Sequence, residues 1–495
     1  MESDHWFNGR DSFHLKLENL GLETMGFTQP VFFLFLPMVW LVYWALTTSN
    51  LRIRNAWLLF ASYLFYGYWD YRLLALILFS SGLDFVLAIS IERSNSFNRK
   101  SLFLGLSIAL NLGLLGTFKY FNFFMEGFSG IASAMGLQAN QRVLELILPV
   151  GISFYTFQTL SYTIDVYRGQ LKACTDWIVF FTYVAYFPQL VAGPIERARR
   201  LLPQLQRTAR FSKKESSDGF RQMLWGYAKK MLVADGLAPF VEHCFSQTES
   251  ASSLLLCLGL LLFSVQIYAD FSGYSDIAIG ISRMFGIKLM QNFRTPFLAK
   301  NLVDFWKRWH ISLSTWFRDY VYIPMGGSRG SNPILYRNVL LVFLLSGLWH
   351  GANMTFVVWG LLHGLGYVFV LLLQTSNSKV SQFQFGPIFG PVITFIWVSF
   401  AWIFFRSPDM GTASLFTKAL FTQWHMPFST IVFPWAALFF SILILAVEFI
   451  HSNQRHGLRW LAFKSKSVRW SIYFLTVAAL IFFRAEEVQF LYFQF

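Results

Sequence analysis

Long apolar runs alternate with short polar, mostly basic, segments along almost the whole chain. The runs extend approximately over Pro30–Leu46, Ala56–Trp69, Leu73–Ser90, Leu102–Phe124, Leu144–Ile164, Trp177–Val191 and Phe220–Leu237, and then over Ser253–Ile281, Asn338–Leu373, Pro387–Phe405, Val432–Ile450 and Ser471–Phe483. A bilayer core takes roughly 20 helical residues, so most runs are long enough to cross it or to enter and return. They are continuous rather than alternating in polarity, which predicts helices and not the strands of a membrane barrel. The pattern predicts an all-α polytopic membrane protein with about ten to twelve transmembrane helices, plus re-entrant or interfacial helices where the runs are short or broken.

The polar positions set an orientation. Arg52 and Arg54, Arg93–Lys100, Arg197–Lys214, Arg283–Arg337 and Arg455–Arg469 are basic segments that belong on the cytoplasmic side. Both termini then fall outside, provided that Trp177–Val191 dips into the membrane and returns. No internal repeat or low-complexity linker interrupts the pattern. Residues 29–495 read as a single transmembrane domain behind a polar N-terminal tail, residues 1–28, which is more acidic than basic and lacks the build of a signal peptide.

Composition agrees. Of 495 residues, 55% are hydrophobic and only 13% charged, against about 25% charged in a soluble domain. The 57 Phe and 18 Trp suit lipid-facing helices and interfacial belts. The net charge of +14 sits in the loops and reads as a topology signal; no nucleic-acid module accompanies it, so membrane lipids and not nucleic acid are the expected surroundings. Cys174, Cys244 and Cys257 are scattered, without the spacing of a disulfide framework or a metal knuckle, and no metal is expected.

Within the basic insert Arg283–Arg337, the segment Phe305–Phe317 has a helical period. At about 100° per residue, Trp306, Trp309, His310, Leu313, Trp316 and Phe317 share one face, and Lys307, Arg308, Ser312, Thr315 and Arg318 the other. This predicts an interfacial amphipathic helix with His310 on its buried aromatic face. A core histidine bonded to a carbonyl and a functional histidine are equally open there.

Asn338–Gln374 contains no Asp, Glu, Lys or Arg, but it holds Gly347-Leu348-Trp349-His350-Gly351-Ala352-Asn353. Measured from Arg337, the helical rise carries His350 roughly 20 Å inward. An ionisable group at that depth favours function over a packing role. Glycines on either side permit a helix break and a close approach of ligand. His363 lies on another face and is expected only to pack. Asp270 and Asp276, flanking Tyr274 in an apolar run, need partners or water: a cavity lining and a structural hydrogen-bond network are both open. Motifs for a serine hydrolase elbow, a phosphate loop, a zinc protease or haem attachment are absent. Chemistry resting on histidine alone narrows to acid/base work or acyl transfer.

These segments, with Phe32-Phe33-Leu34-Phe35-Leu36-Pro37, Leu148–Gln158, Tyr186–Ile195 and Asn292–Phe297, resemble the membrane-bound O-acyltransferase family, in its bacterial polysaccharide branch. The resemblance runs from about Thr28 to the aromatic C-terminus. It implies a ring of helices around a central funnel, with His350 as the catalytic histidine and His310 as its companion. It also implies Trp309, Trp349, Asn353, Asp270, Tyr274 and Asp276 as candidates for the funnel and substrate site.

The implied activity is transfer of an acyl group, most simply acetyl, from a cytoplasmic thioester such as acetyl-CoA toward hydroxyls of an exported polysaccharide such as alginate. The implied setting is the bacterial cytoplasmic (inner) membrane, with a secreted or membrane-anchored esterase-like partner and no tightly bound cofactor. The aromatic stretch Gln489–Phe495 is a candidate docking or anchoring end. D-alanyl transfer to teichoic acid is the alternative within the class. A proton-coupled transporter using His350, Asp270 and Asp276, or a structural subunit, are the alternatives outside it.

Overall fold

The computed structural model describes residues 25–47, 50–136, 149, 151–190, 193–375, 386, 388, 389–424, 433–488, 490 and 491. The N-terminal tail through residue 24, the stretch 137–148 and the end beyond residue 491 lie outside the described residues. Among those described, every regular element is helical. Seven helical runs among the described residues are long and apolar enough to cross a membrane: 30–47, 51–93, 97–129, 253–284, 332–350, 354–374 and 389–406. The protein is a multi-pass membrane protein.

The first half contains α1 (Pro30–Thr47), α2 (Leu51–Asp70), α3 (Leu74–Arg93), α4 (Phe97–Leu115), α5 (Phe121–Ala134) and α6 (Ile152–Tyr167). The run 51–93 is two helices because Asp70 turns extended, with φ −163°, and caps a short 3-10 turn through Arg72 N at 2.9 Å. Helices α4 and α5 are continuous through a π-helical turn at Gly116–Tyr120.

Then come α7 (Trp177–Ala185), α8 (Phe187–Leu190) and α9 (Ala198–Leu205). The nine residues of α7 reach only about half of a roughly 30 Å core. The chain then comes back: Gln206 Nε2 lies 3.9 Å from Cys174 Sγ, and Arg54 donates to Leu205 O at 2.8 Å and to Arg207 O at 2.9 Å. The segment dips in and returns, as the parity of crossings requires.

Two helices form the buried spine, α10 (Lys213–Tyr227) and α12 (Ser253–Met284), with α11 (Asp235–Ser246) between them in sequence. They cross glycine on glycine. A Cβ added at Gly219 would sit 2.5 Å from Gly280 O, and one at Gly226 the same distance from Gly273 O; such small residues let membrane helices approach closely. After the crossing, a π-helical stretch Ala228–Ala234 turns Lys229 and Lys230 toward α12.

The remaining helices are α13 (Leu302–Trp306), α14 (Ile311–Phe317), α15 (Asn332–His350), α16 (Met354–Thr375), α17 (Phe389–Arg406), α18 (Met410–Thr422), α19 (Trp435–Ile450) and α20 (Lys466–Phe482). Helix ends sort onto two sides. On one, Trp40 and Trp44 donate to Met284 O at 3.0 and 3.1 Å, and Gln291 to Arg455 O at 3.3 Å. The basic segments gather there. On the other, Thr28 and Gln29 donate to Glu487 at 2.5 and 2.8 Å, Ser253 N to Gln423 O at 2.8 Å, and Asn353 to Pro408 O at 2.5 Å. The first and last described segments thus share the side opposite the basic loops.

Candidate active site

Helix α15 runs from the basic side and ends on His350, where Gly351 turns extended at φ −157°. A Cβ at Gly347 would meet Phe356 O at 2.2 Å, and one at Gly351 would meet the Phe356 ring at 2.0 Å. Only glycine lets α16 fold back this tightly against the end of α15. The His350 ring is buried among Trp349, Trp359 and Phe405, at centroid distances of 5.0, 5.0 and 5.4 Å.

His310 reaches the same place from the insert. Its ring centroid is 6.3 Å from that of His350 and 6.0 Å from Trp349, and Phe271 closes its far side at 4.7 Å. The predicted continuous helix over Phe305–Phe317 is not what forms. Residues 307–310 unwind between α13 and α14, and His310 takes a left-handed backbone, φ 43°. The cause is a facing segment: Arg294 N donates to Arg308 O and Ile311 N to Asn292 O, both at 2.9 Å. Thr295 on that segment has the same φ of 43°. Such strain in non-glycine residues clusters at functional sites.

The aromatic face nevertheless holds: Trp306, Trp309, Leu313, Trp316 and Phe317 are all buried with His310, while Lys307 and Arg318 are exposed. Ser312, expected on the polar face, is buried because its N and Oγ both donate to Asn292 Oδ1, at 3.2 and 2.9 Å. Ser312 Oγ is 3.5 Å from His310 Nδ1, and Asn292 in turn donates to Ser275 Oγ at 3.2 Å. This chain supplies the orienting neighbour that sequence did not identify. Burial pushes the His310 imidazole down, to about 3, so its ring is neutral at ordinary pH.

Of the other sequence candidates, Trp349 touches both histidines. Trp309 packs one layer out, against Phe293 at 5.1 Å and Trp402 at 5.4 Å. Asn353 pins the turn after His350 to Pro408 and accepts from Thr355 N at 3.1 Å. Asp270, Tyr274 and Asp276 do not join the histidines. Asp270 pairs with Lys230 at 2.8 Å and accepts from Leu491 N at 2.8 Å. Tyr274 lies against Phe490 and 5.4 Å from Lys230 Nζ. Asp276 pairs with Lys229 at 2.5 Å and accepts from Gln222 at 2.7 Å, beside a polar cavity of about 30 Å³. Asp270 sits in the structural network, whereas Asp276 belongs to the network and also lines the cavity, so both open readings apply to it. His363 is fully buried beside Trp306 and Trp359, at 5.0 and 4.9 Å, in keeping with a packing role.

Two larger cavities flank the end of α15. One, about 570 Å³, is lined by Trp306, Leu313, Phe343 and Ser346 with exposed Lys307 and Arg318. The other, about 720 Å³, is lined by Lys119, Glu242, Gly351, Asn353 and Arg406. Ser346 is one helical turn before His350 and Gly351 follows it, so His350 stands along the chain between the two linings. A neutral imidazole there can take a proton from a hydroxyl arriving on one side while that hydroxyl attacks a carbonyl presented from the other. Among the described residues, no cluster of His, Cys, Asp or Glu is arranged to hold a metal.

Comparison with known proteins meets this geometry. The profile described as MBOAT, membrane-bound O-acyltransferase family, matches residues 171–407, which include both histidines. The probable alginate O-acetylase AlgI of Pseudomonas syringae pv. tomato is 38% identical over 407 residues, covering 81% of this chain and 76% of the relative. A peptidoglycan O-acetyltransferase of Helicobacter pylori is 31% identical over 523 aligned positions, covering 95% and 97%. A teichoic acid D-alanyltransferase of Bacillus subtilis is 33% identical over 221 residues, covering 42% and 54%.

Proposed function

The chain belongs to the membrane-bound O-acyltransferase family, and from that premise we propose that it moves acetyl groups from cytoplasmic acetyl-CoA toward hydroxyls of an exported polysaccharide, with His350 as the general base. The enzyme is an O-acyltransferase. The observation that carries the finer reading is the pair of histidines 6.3 Å apart, with His350 between Ser346, which lines one cavity, and Gly351, which lines the other.

In this reading the thioester enters from the basic side, past Lys307 and Arg318, and the acceptor from the other. A hydroxyl is a poor nucleophile until its proton is taken. The imidazole of His350 accepts that proton as the oxygen attacks the thioester carbonyl carbon; the carbon–sulfur bond then breaks, and the departing thiolate takes the proton from the imidazolium. Such base catalysis contributes roughly 10²–10⁴-fold. His310, set beside Ser312 and Asn292, positions the thioester carbonyl for the acceptor.

Acetyl is favoured over D-alanyl because similarity to the acetylating relatives covers most of the chain, whereas similarity to the D-alanyltransferase covers less than half. An alginate-like polysaccharide is the first acceptor to test, with peptidoglycan the second. The setting is the bacterial cytoplasmic membrane, basic side inward, and a secreted or membrane-anchored esterase-like partner completes delivery outside.

The test is transfer of label from acetyl-CoA in membranes carrying wild type, His350→Ala or His310→Ala at matched folded amounts. His350→Ala should lose transfer by two orders of magnitude or more, on the order of the base contribution. Full transfer by folded His350→Ala sinks the assignment.

A further inference from the structure

A helix that stops inside a membrane protein leaves its last carbonyls without intrahelical partners, and hydrocarbon offers no water to replace them. Helix α15 stops in this way at His350. The carbonyls of the last three residues are all taken by one neighbouring turn. Tyr120 OH donates to Leu348 O at 2.7 Å, and Lys119 Nζ donates to Trp349 O at 2.8 Å and to His350 O at 2.9 Å.

Both donors lie on the π-helical turn Gly116–Tyr120 that joins α4 to α5. The wider turn lets two consecutive residues address the same helix end, which the spacing of a regular α-helix disfavours. Such turns are rare and recur at functional sites.

The choice of lysine is informative. Its ammonium suits the negative end of the α15 dipole, and Nζ also stands 6.0 Å over the Trp349 ring. Yet the buried lysines of the spine each have carboxylates, Asp276 and Glu448 for Lys229, Asp235 and Asp270 for Lys230. Among the described residues Lys119 is in no ion pair; its Nζ meets two carbonyl oxygens and the face of Trp349. It also borders the 720 Å³ cavity beside Gly351 and Asn353. An ionisable group so placed in a membrane protein is costly, and it marks function more often than packing.

We infer that Lys119, assisted by Tyr120, is a positioning residue for acyl transfer: it clamps the carbonyl end of α15 and thereby fixes the His350 imidazole between the two cavities. This rests on the reading of His350 as the base. Because His350 is the last residue of its helix, a loosened end displaces its ring relative to His310 and Trp349 without altering the cavity through which the donor enters. The turnover step should therefore suffer, and donor binding should not.

The experiment compares Lys119→Met, which keeps the length and removes the donors, with Lys119→Arg, Tyr120→Phe and His350→Ala. Each is assayed for label transfer from acetyl-CoA and for thermal unfolding in detergent. Lys119→Met should lose roughly 10²-fold in kcat, the scale of a misplaced catalytic group, with donor KM unchanged, and Lys119→Arg should recover most of it. Tyr120→Phe should fall between. Unchanged kcat in Lys119→Met overturns the inference, as does a loss that only tracks unfolding and that arginine does not mend. Should Lys119→Met fail to fold, Tyr120→Phe decides alone, since it removes a single hydrogen bond: unchanged kcat in folded protein overturns the clamp. An active His350→Ala removes the base reading separately; a selective kcat loss in Lys119→Met beside it then means that lysine acts on some other group, and the inference falls too.

Discussion

At His310, backbone and side chain make separate demands. The left-handed conformation costs a non-glycine residue about 1–3 kcal/mol, and asparagine tolerates it better than most side chains. His310→Asn should therefore fold nearly as well as wild type while losing transfer, whereas β-branched His310→Val should also melt earlier; thermal unfolding in detergent separates the two. Burial adds a pH dependence. The folded group titrates near 3 and the unfolded one near about 6.5, so between these values only the unfolded chain binds the proton. The contribution is absent above about pH 6.5 and destabilises progressively as pH falls toward 3. Melting temperature plotted against pH should be less steep below about 6 in His310→Asn than in wild type; identical slopes would show that His310 does not carry the effect. That His310 is buried was legible from the period of its aromatic neighbours. Its strained backbone and its Ser312–Asn292 support were not, because the facing segment Asn292–Thr295 supplies them and no local period encodes a partner so far along the chain.

Helices pack here by backbone proximity. At the crossing of α10 and α12, a Cβ on Gly226 would meet backbone on two sides, Gly273 O at 2.5 Å and Ile277 N at 2.8 Å, besides Ile277 Cγ1 at 2.7 Å. Gly226→Ala must push the helices apart and should cost about 1–3 kcal/mol or more, as overpacking does. Gly105 on α4 is the control, since nothing lies within 4 Å of a Cβ there; Gly105→Ala should be neutral or stabilise by up to about 1 kcal/mol through helix propensity. Detergent melting curves of the two variants test the contrast, and equal shifts would refute close packing at the crossing. The dip of Trp177–Leu190 was readable from the parity of crossings, and the turn after His350 from its glycines. The π-helical stretches at Gly116–Tyr120 and Ala228–Ala234 were not readable, since the width of a turn is set by what the side chains meet: carbonyls of α15 for Lys119, carboxylates of α12 for Lys230. For the same reason Asp270 looked as fit for a cavity as for a network until its lysine was located, and Asp276 turns out to serve both.

Across the whole molecule the charge pattern and the cavities give the catalyst two faces. The apolar cavity opens toward the side where the basic loops collect, and the cavity with Glu242 and Arg406 lies on the opposite side, the one that holds the first and last described segments. If each admits one substrate, each can be obstructed alone. Val342 lines the first and is only partly buried, and Ser246 lines the second and is exposed at the end of α11. Ser246 Oγ is bonded within its own helix, to His243 O at 3.2 Å. Val342→Trp should raise the KM for acetyl-CoA several-fold and leave that for alginate oligosaccharides unchanged; Ser246→Trp should do the reverse. The comparison is made by initial rates in detergent with one substrate saturating and the other varied. Each variant serves as the folding control for the other, because a general defect would lower kcat in both without sorting the two KM values. If both variants affect the same substrate, or each affects both alike, donor and acceptor share one entrance, and the His350 turn is then not the partition across which the acyl group passes.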